Sequence, residues 1–221
     1  MRAVNPQIKV CSQLENADGV DVNTLSAGQF KEIVAQFEAA AVRAASAGYD
    51  CVEIHSGHDN LLCRTLSSFF NKREDEYKVD GFKLLRDVLA EVRKCGIPVG
   101  VKLQCDDFIE GHTVNPQQAA SIVKELNFDF VEITGGGLGA GKHLFPRPGP
   151  DKYYYRHVVE EFNKHKLMQK QPVIVTGGFT NLTEAEQALS DGATLVGFGR
   201  KFLRDDKFLL DGDPKKCGRC N

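Results

Sequence analysis

The sequence lacks any long apolar run. Nothing in it approaches the ~18 consecutive apolar residues of a membrane-spanning helix, which excludes a transmembrane helical protein. It also lacks an excess of charge of one sign. Lys plus Arg number 28 and Asp plus Glu 30, a net charge of −2. No bulk field therefore draws the chain to nucleic acid or to an anionic membrane surface. A secretory leader is not expected, because MRAVNPQIKV offers one Arg, a short broken apolar stretch and no small-residue cleavage site. A disulfide framework is not expected either. The cysteines number 7, an odd count, and lie scattered singly. Free thiols in a reducing, cytoplasmic setting are the expectation. With no low-complexity tract, linker or near-identical repeat, residues 1–221 read as one domain.

What is present suits a soluble α/β protein. The chain has 221 residues, 42% of them apolar and 26% charged, the balance of an ordinary globular domain. Residues 1–25 show little periodicity and read as a lead-in loop, with QIKVCSQL as the only stretch resembling a short strand. Ser26 and Gln29 then form a capping-box pair. Phe30, Ile33, Val34, Phe37, Ala41 and Ala44 follow at helical spacing, and Gly48 supplies the stop. Five Val- and Ile-rich segments come next: YDCVEIH, PVGVKLQ, FDFVEITGG, PVIVTGGF and TLVGFGR. Each is too short for a helix and reads as a buried parallel strand. Helical stretches separate them, and residues 211–221 form a tail. A β-α-β-α series with right-handed crossovers gives a parallel sheet.

Two architectures compete for this pattern. A doubly wound sheet usually shows a Gly-rich loop after its first strand, and this first strand has none. A (β/α) barrel spreads its chemistry over loops after several strands. Here the polar residues and glycines do gather after the strands: His55 and His58, Lys102 and Gln104, Gly135 to Gly137, Gly177 and Gly178, Gly199 and Arg200. The barrel is favoured, although a closed one needs eight strands and about 250 residues. The five strands found in this sequence make it an incomplete barrel.

Four constellations could carry chemistry. The sharpest is VEIHSGHDNLL, in which His55 ends a strand and His58 follows three residues later. If the chain leaves the strand in a helical turn, both imidazoles enter one pocket mouth. Two neutral N–H groups there can grip one oxygen, polarising a carbonyl or holding a nitro group. The rival use is a metal with Glu53, Asp59 or Asp106 as third ligand, and the plain one is two polar loop residues. The second constellation is the pair of glycine turns VTGGF and VGFGRKF. Bare backbone N–H groups, helix N-termini and Arg200 together favour a phosphate. The third, NKREDEY, reads as a structural loop in which Arg73, Asp75 and Glu76 pair with each other or with Arg86. The fourth is the tail, where Cys217 and Cys220 make half of a metal site and lack the other half.

Taken together, these residues resemble a known family. AAVRAASAGYDCVEIHSGHDNLLCRTLSSFFNKREDEY is similar to the central signature of the Old Yellow Enzyme family of FMN-dependent ene-reductases. PVIVTGGFTNLTEAEQALSDGATLVGFGRKFL resembles that family's phosphate-binding end, and the likeness runs over roughly residues 25–210. It implies a TIM barrel, of which strands four to eight are present. It also implies non-covalent FMN, NAD(P)H as reductant, and hydride transfer from reduced flavin to an activated alkene such as an enone or nitro compound. His55 and His58 match the clamp on the substrate oxygen. Lys102 matches a cation beside the flavin pyrimidine, and Gly177, Gly178, Gly199 and Arg200 match the phosphate cradle.

The chain departs from the family in places. Asn60 stands where the family has a proton-donating Tyr, and an amide is no useful donor near neutral pH. Asp59 replaces a Gly, and Lys78 and Val79 follow DEY in place of Gly-Gly. The family's first three βα units precede the region present here. CGRCN is similar to the start of an iron–sulfur motif but stops short, so no cluster is expected. Two functions follow as expectations. One is an FMN-dependent oxidoreductase acting on a small molecule. The other is a truncated, non-catalytic paralogue or gene-model fragment. Two unpaired sheet edges would invite self-association into a homo-oligomer.

Overall fold

The computed structural model describes residues 21–108, 113–136 and 153–210. Among these, strands β1 (Val52–Ser56), β2 (Val99–Gln104), β3 (Val131–Thr134), β4 (Val173–Thr176) and β5 (Leu195–Gly197) alternate with helices. The principal helices are α1 (Ala27–Ser46), α3 (Lys83–Val92), α4 (Pro116–Leu126), α5 (Arg156–Lys164) and α6 (Leu182–Ser190). All five expected strands form, as one parallel sheet in the order β1-β2-β3-β4-β5. A doubly wound sheet would reverse its order at a switch point. Here each strand is laid beside the one before it, always on the same side. That is how a barrel is wound, and the fold is an incomplete (β/α) barrel.

Local chemistry sets the element ends. Ser26 and Gln29 complete the expected capping box on α1. Asn115 caps α4, with Pro116 as its first residue and left-handed Asn127 as its stop. Asn181 caps α6 by accepting from the Glu184 N–H. Two short helices were not anticipated, α2 (Leu61–Leu66) and α7 (Arg200–Arg204). Every residue of α2 is buried, so its sequence has no polar face from which a helical period could be read.

The two faces of the sheet differ. Val52, Ile54, Val99, Val101, Leu103, Val131, Ile133, Val173 and Val175 are buried with the apolar helix faces in one core. The alternate residues Glu53, His55, Lys102, Glu132 and Thr176 are only half-buried, and Leu195 is exposed. A polar inner face opposite an apolar helix-facing one suits a barrel interior. β1 and β5 each pair with one strand among the described residues.

NKREDEY is structural, with a partner set different from the one expected. Arg73 pairs with Asp75, donates to the carbonyls of Val22 (2.8 Å) and Leu25 (2.6 Å), and lies over the Phe30 ring. It thereby ties the lead-in turn, with buried Val22 and Leu25, onto α1. Glu76 faces Lys83, and Arg86 pairs with Glu125 on α4 rather than with this loop. Arg86 sits on the exposed face of α3, where a carboxylate from the next helix is closer. The QIKVCSQL stretch, His112, His143, Cys217 and Cys220 lie outside the described residues. Among the described residues no helix is long and apolar enough to cross a membrane.

Candidate active site

His55 closes β1, and the loop after it is bent in an unexpected way. The sequence predicted a right-handed helical exit. Instead His58 and Asp59 both adopt left-handed backbone, with φ of +54° and +53°. Such a conformation costs a residue with a Cβ on the order of 1–2 kcal/mol, so something must hold it. The His58 N–H donates to the Gln104 side-chain oxygen at 2.6 Å. The Asn60 amide donates to the Gly57 carbonyl at 2.8 Å. Gly57 passes so close to β3 that a Cβ there would lie 2.8 Å from the Thr134 methyl carbon. The loop is thus stitched over the ends of β2 and β3, where Gln104 and Thr134 are register partners.

This bend brings the two imidazoles together, with ring centroids 5.5 Å apart and planes at 67°. His58 Nε2 lies 2.9 Å from the Thr134 hydroxyl, and His55 Nε2 lies 2.9 Å from the Asn60 amide nitrogen. Burial, helped by the nearby Lys102 charge, pulls the His58 imidazole below its ordinary value, so it is neutral at pH 7. Two neutral rings at one rim are suited to hydrogen-bonding an oxygen. The metal alternative finds less support. Asp106, one of the candidate third ligands, is drawn instead to His157 at 2.7 Å. Among the described residues no three His, Cys, Asp or Glu side chains converge.

Lys102 is the register partner of His55 and shares the inner face with it. It is not a solitary cation: its ammonium lies 2.5 Å from Glu132. Burial raises the Glu132 carboxyl, but the hydrogen bond and charge of Lys102 outweigh it and hold that group below its usual range. Burial, and then the charge of Glu132, push neighbouring Glu53 up to about 7. Lys102 and Glu132 thus offset each other, while Glu53 keeps a proton through mildly acidic pH. The partnership was not foreseen, although the strand register makes Lys102 and Glu132 neighbours.

The glycine turns lie at the same edge of the sheet, after β4 and β5. Across a flat sheet at ~4.8 Å per strand they stand about 14 Å and about 19 Å from β1, so a ligand touching both ends must be long. A Cβ on Gly177 or Gly178 would strike the Tyr155 or Tyr154 ring at 2.5 Å. Both glycines have positive φ, +148° and +81°, so bareness here also serves aromatic packing. Tyr155, buried at the start of α5, reaches the Gly135 carbonyl through its hydroxyl at 3.2 Å. Gly199 differs, because nothing lies within 4 Å of where its Cβ would be. It is exposed and caps α7, whose first residue is the exposed Arg200. Open space, a helix start and a guanidinium fit an anionic group, and Lys102 and the histidines lie along the route inward.

The residues sequence reasoning missed are Thr134, Glu132, Tyr154 and Tyr155. Thr134 and Glu132 had a signal, since they sit in the third strand at the height of His55 and Lys102. The tyrosines had none.

Comparison with known proteins places this geometry. The model of the NADH:flavin oxidoreductase / NADH oxidase family matches residues 4–211. An NADPH dehydrogenase of Clostridium acetobutylicum is 33% identical over 196 residues, covering 84% of this chain and 55% of that protein. The chain therefore spans about half the length of this curated relative. In fold it is similar to a 2-naphthoyl-CoA reductase complex, with TM-score 0.71 and 22% identity over 89% of this chain and 32% of that one. It is also similar to an old yellow enzyme homologue from Zymomonas mobilis, with TM-score 0.66 and 21% identity over 95% of this chain and 62% of that one. The left-handed histidine loop, the polar inner face and the sequential winding are thus found in a chain that belongs to the NADH:flavin oxidoreductase / NADH oxidase family, the Old Yellow Enzyme group.

Proposed function

We propose that this chain forms the substrate- and phosphate-gripping side of an FMN-dependent NAD(P)H oxidoreductase. The enzyme reduces an activated alkene, an enone or nitro compound, and works in the reducing cytoplasm. The carrying observation is the fixed pairing of His55 and His58 at the sheet rim that also holds Gly199 and Arg200. Gly177, Gly178, Gly199 and Arg200 would hold the FMN phosphate, and Lys102 would lie near the flavin ring. When bound, the flavin supplies hydride transfer between nicotinamide and substrate. The protein's own contribution is orientation and electrostatics. The histidine pair draws electron density from the alkene through its carbonyl or nitro oxygen. The four described cysteines, Cys51, Cys63, Cys95 and Cys105, are free thiols, in keeping with that compartment.

A second reading, a non-catalytic relative serving as an interaction module, draws on Asn60. Its amide supplies no proton where the resemblance implies a Tyr donor. Binding of a phenol to the flavin-loaded protein, followed by absorbance, separates the two. The oxidoreductase reading expects His55→Ala to weaken phenol binding about tenfold or more, the loss of roughly 1.5 kcal/mol that a buried hydrogen bond supplies. Unchanged affinity would remove the clamp role.

A further inference from the structure

We propose that Asn60 is a positioning residue: it fixes His55 in the tautomer that carries its proton on Nδ1. The inference rests on the oxygen-clamp reading of the histidine pair and specifies which atom does the clamping. The Asn60 side-chain nitrogen faces two atoms, the Gly57 carbonyl oxygen at 2.8 Å and His55 Nε2 at 2.9 Å. A carbonyl oxygen only accepts, so the amide atom facing it is the NH₂ group rather than the amide oxygen. That group has two hydrogens and no acceptor capacity. One hydrogen goes to Gly57, and the other points at His55 Nε2. A proton on Nε2 would set donor against donor at 2.9 Å, so Nε2 must be the acceptor. A neutral imidazole then holds its one proton on Nδ1.

Two consequences follow. A ligand oxygen bound by neutral His55 takes its hydrogen bond from Nδ1–H, because Nε2 has none to give. Residue 60 is also not a proton source, since both its amide hydrogens are committed within the loop. The same contact helps stabilise the left-handed bend. Asn60 caps the turn that begins at Gly57, through its backbone N–H at 3.2 Å and its side chain at 2.8 Å.

Long-range ¹H–¹⁵N spectra of the full chain labelled with ¹⁵N-histidine test this directly, with the His55 signals assigned by their loss in His55→Gln. The expected wild-type pattern is a pyrrole-type Nδ1 and a pyridine-type Nε2. Asn60→Asp keeps the size and shape of the side chain but replaces the donor with an acceptor, so the pattern should invert to Nε2–H. A contact that merely packs the loop would leave the tautomer unchanged. Wild-type protein carrying the proton on Nε2, or an Asn60→Asp variant with an unaltered pattern, would overturn the proposal. Should the variant fail to fold, the wild-type spectrum alone decides. The measurement needs neither flavin nor turnover. A correct tautomer with no response of His55 to an added phenol would therefore sink the clamp reading and leave the positioning role standing.

Discussion

At the scale of single residues, the chemistry turns on a contact that has no charge at all. Gly57 lets the histidine loop fold down onto β3, and the Thr134 methyl carbon occupies the space a Cβ would need. Gly57→Ala should cost about 1–3 kcal/mol by overpacking and displace His58. The double variant Gly57→Ala/Thr134→Ser, which removes the methyl and keeps the hydroxyl that faces His58, should recover most of that loss. Denaturant melts of the four proteins complete the cycle. His58 gives a pH signature of definite sign. Its folded value lies below the ordinary 6.5, so the unfolded chain takes up the proton first as pH falls. Its contribution to stability is present above about pH 6.5 and is lost as pH drops through the lowered folded value. His58→Gln should flatten the decline in thermal stability between pH 7 and pH 5. A decline identical to that of wild type would show that the imidazole is not buried as described. Some of this was legible in advance. The spacing of His55 and His58 announced a pair, but the left-handed bend did not show, because it depends on Gln104 and Thr134 from strands about 50 and 80 residues further on.

At the scale of elements, the strands were the clearest part of the sequence. Val and Ile runs bounded by turn residues mark chain buried on its helix side, and all five emerged. The polar alternate positions were visible within the same runs, as Glu53 and His55, Lys102, and Glu132. Their pairing was not, since it is set by strand register rather than by spacing along the chain. α2 and α7 were missed for the opposite reason: burial or brevity erases a helical period. The inner face yields its own prediction. Glu53 titrates near 7 in the fold and near 4.5 when free. The folded protein therefore holds this proton more tightly, and the stability so gained is present below about pH 4.5 and lost as pH rises through about 7. Glu53→Gln, neutral at every pH, should raise the melting temperature at pH 8 and change it little at pH 5. A variant no more stable than wild type at pH 8 would mean that Glu53 does not feel Glu132.

At the scale of the whole molecule, the sheet is covered on one face and only partly on the other. β1 and β5 each show an outer edge among the described residues, and Leu195 is 55% exposed on the inner side. In a closed barrel further strands would meet both edges. For this chain the edges predict self-association, to be read as a rise in sedimentation coefficient with concentration; a single unchanging monomer would argue against it. The central claim is that one rim carries both an anion grip and an oxygen clamp, and it is tested most directly by a paired titration. Flavin fluorescence quenching is followed as the protein is added to FMN and, separately, to riboflavin, which lacks the phosphate. Saturable one-to-one binding of FMN is expected, with riboflavin at least tenfold weaker and Arg200→Ala narrowing that gap. Equal affinity for the two flavins, or no binding of either, would contradict a rim built to hold the phosphate.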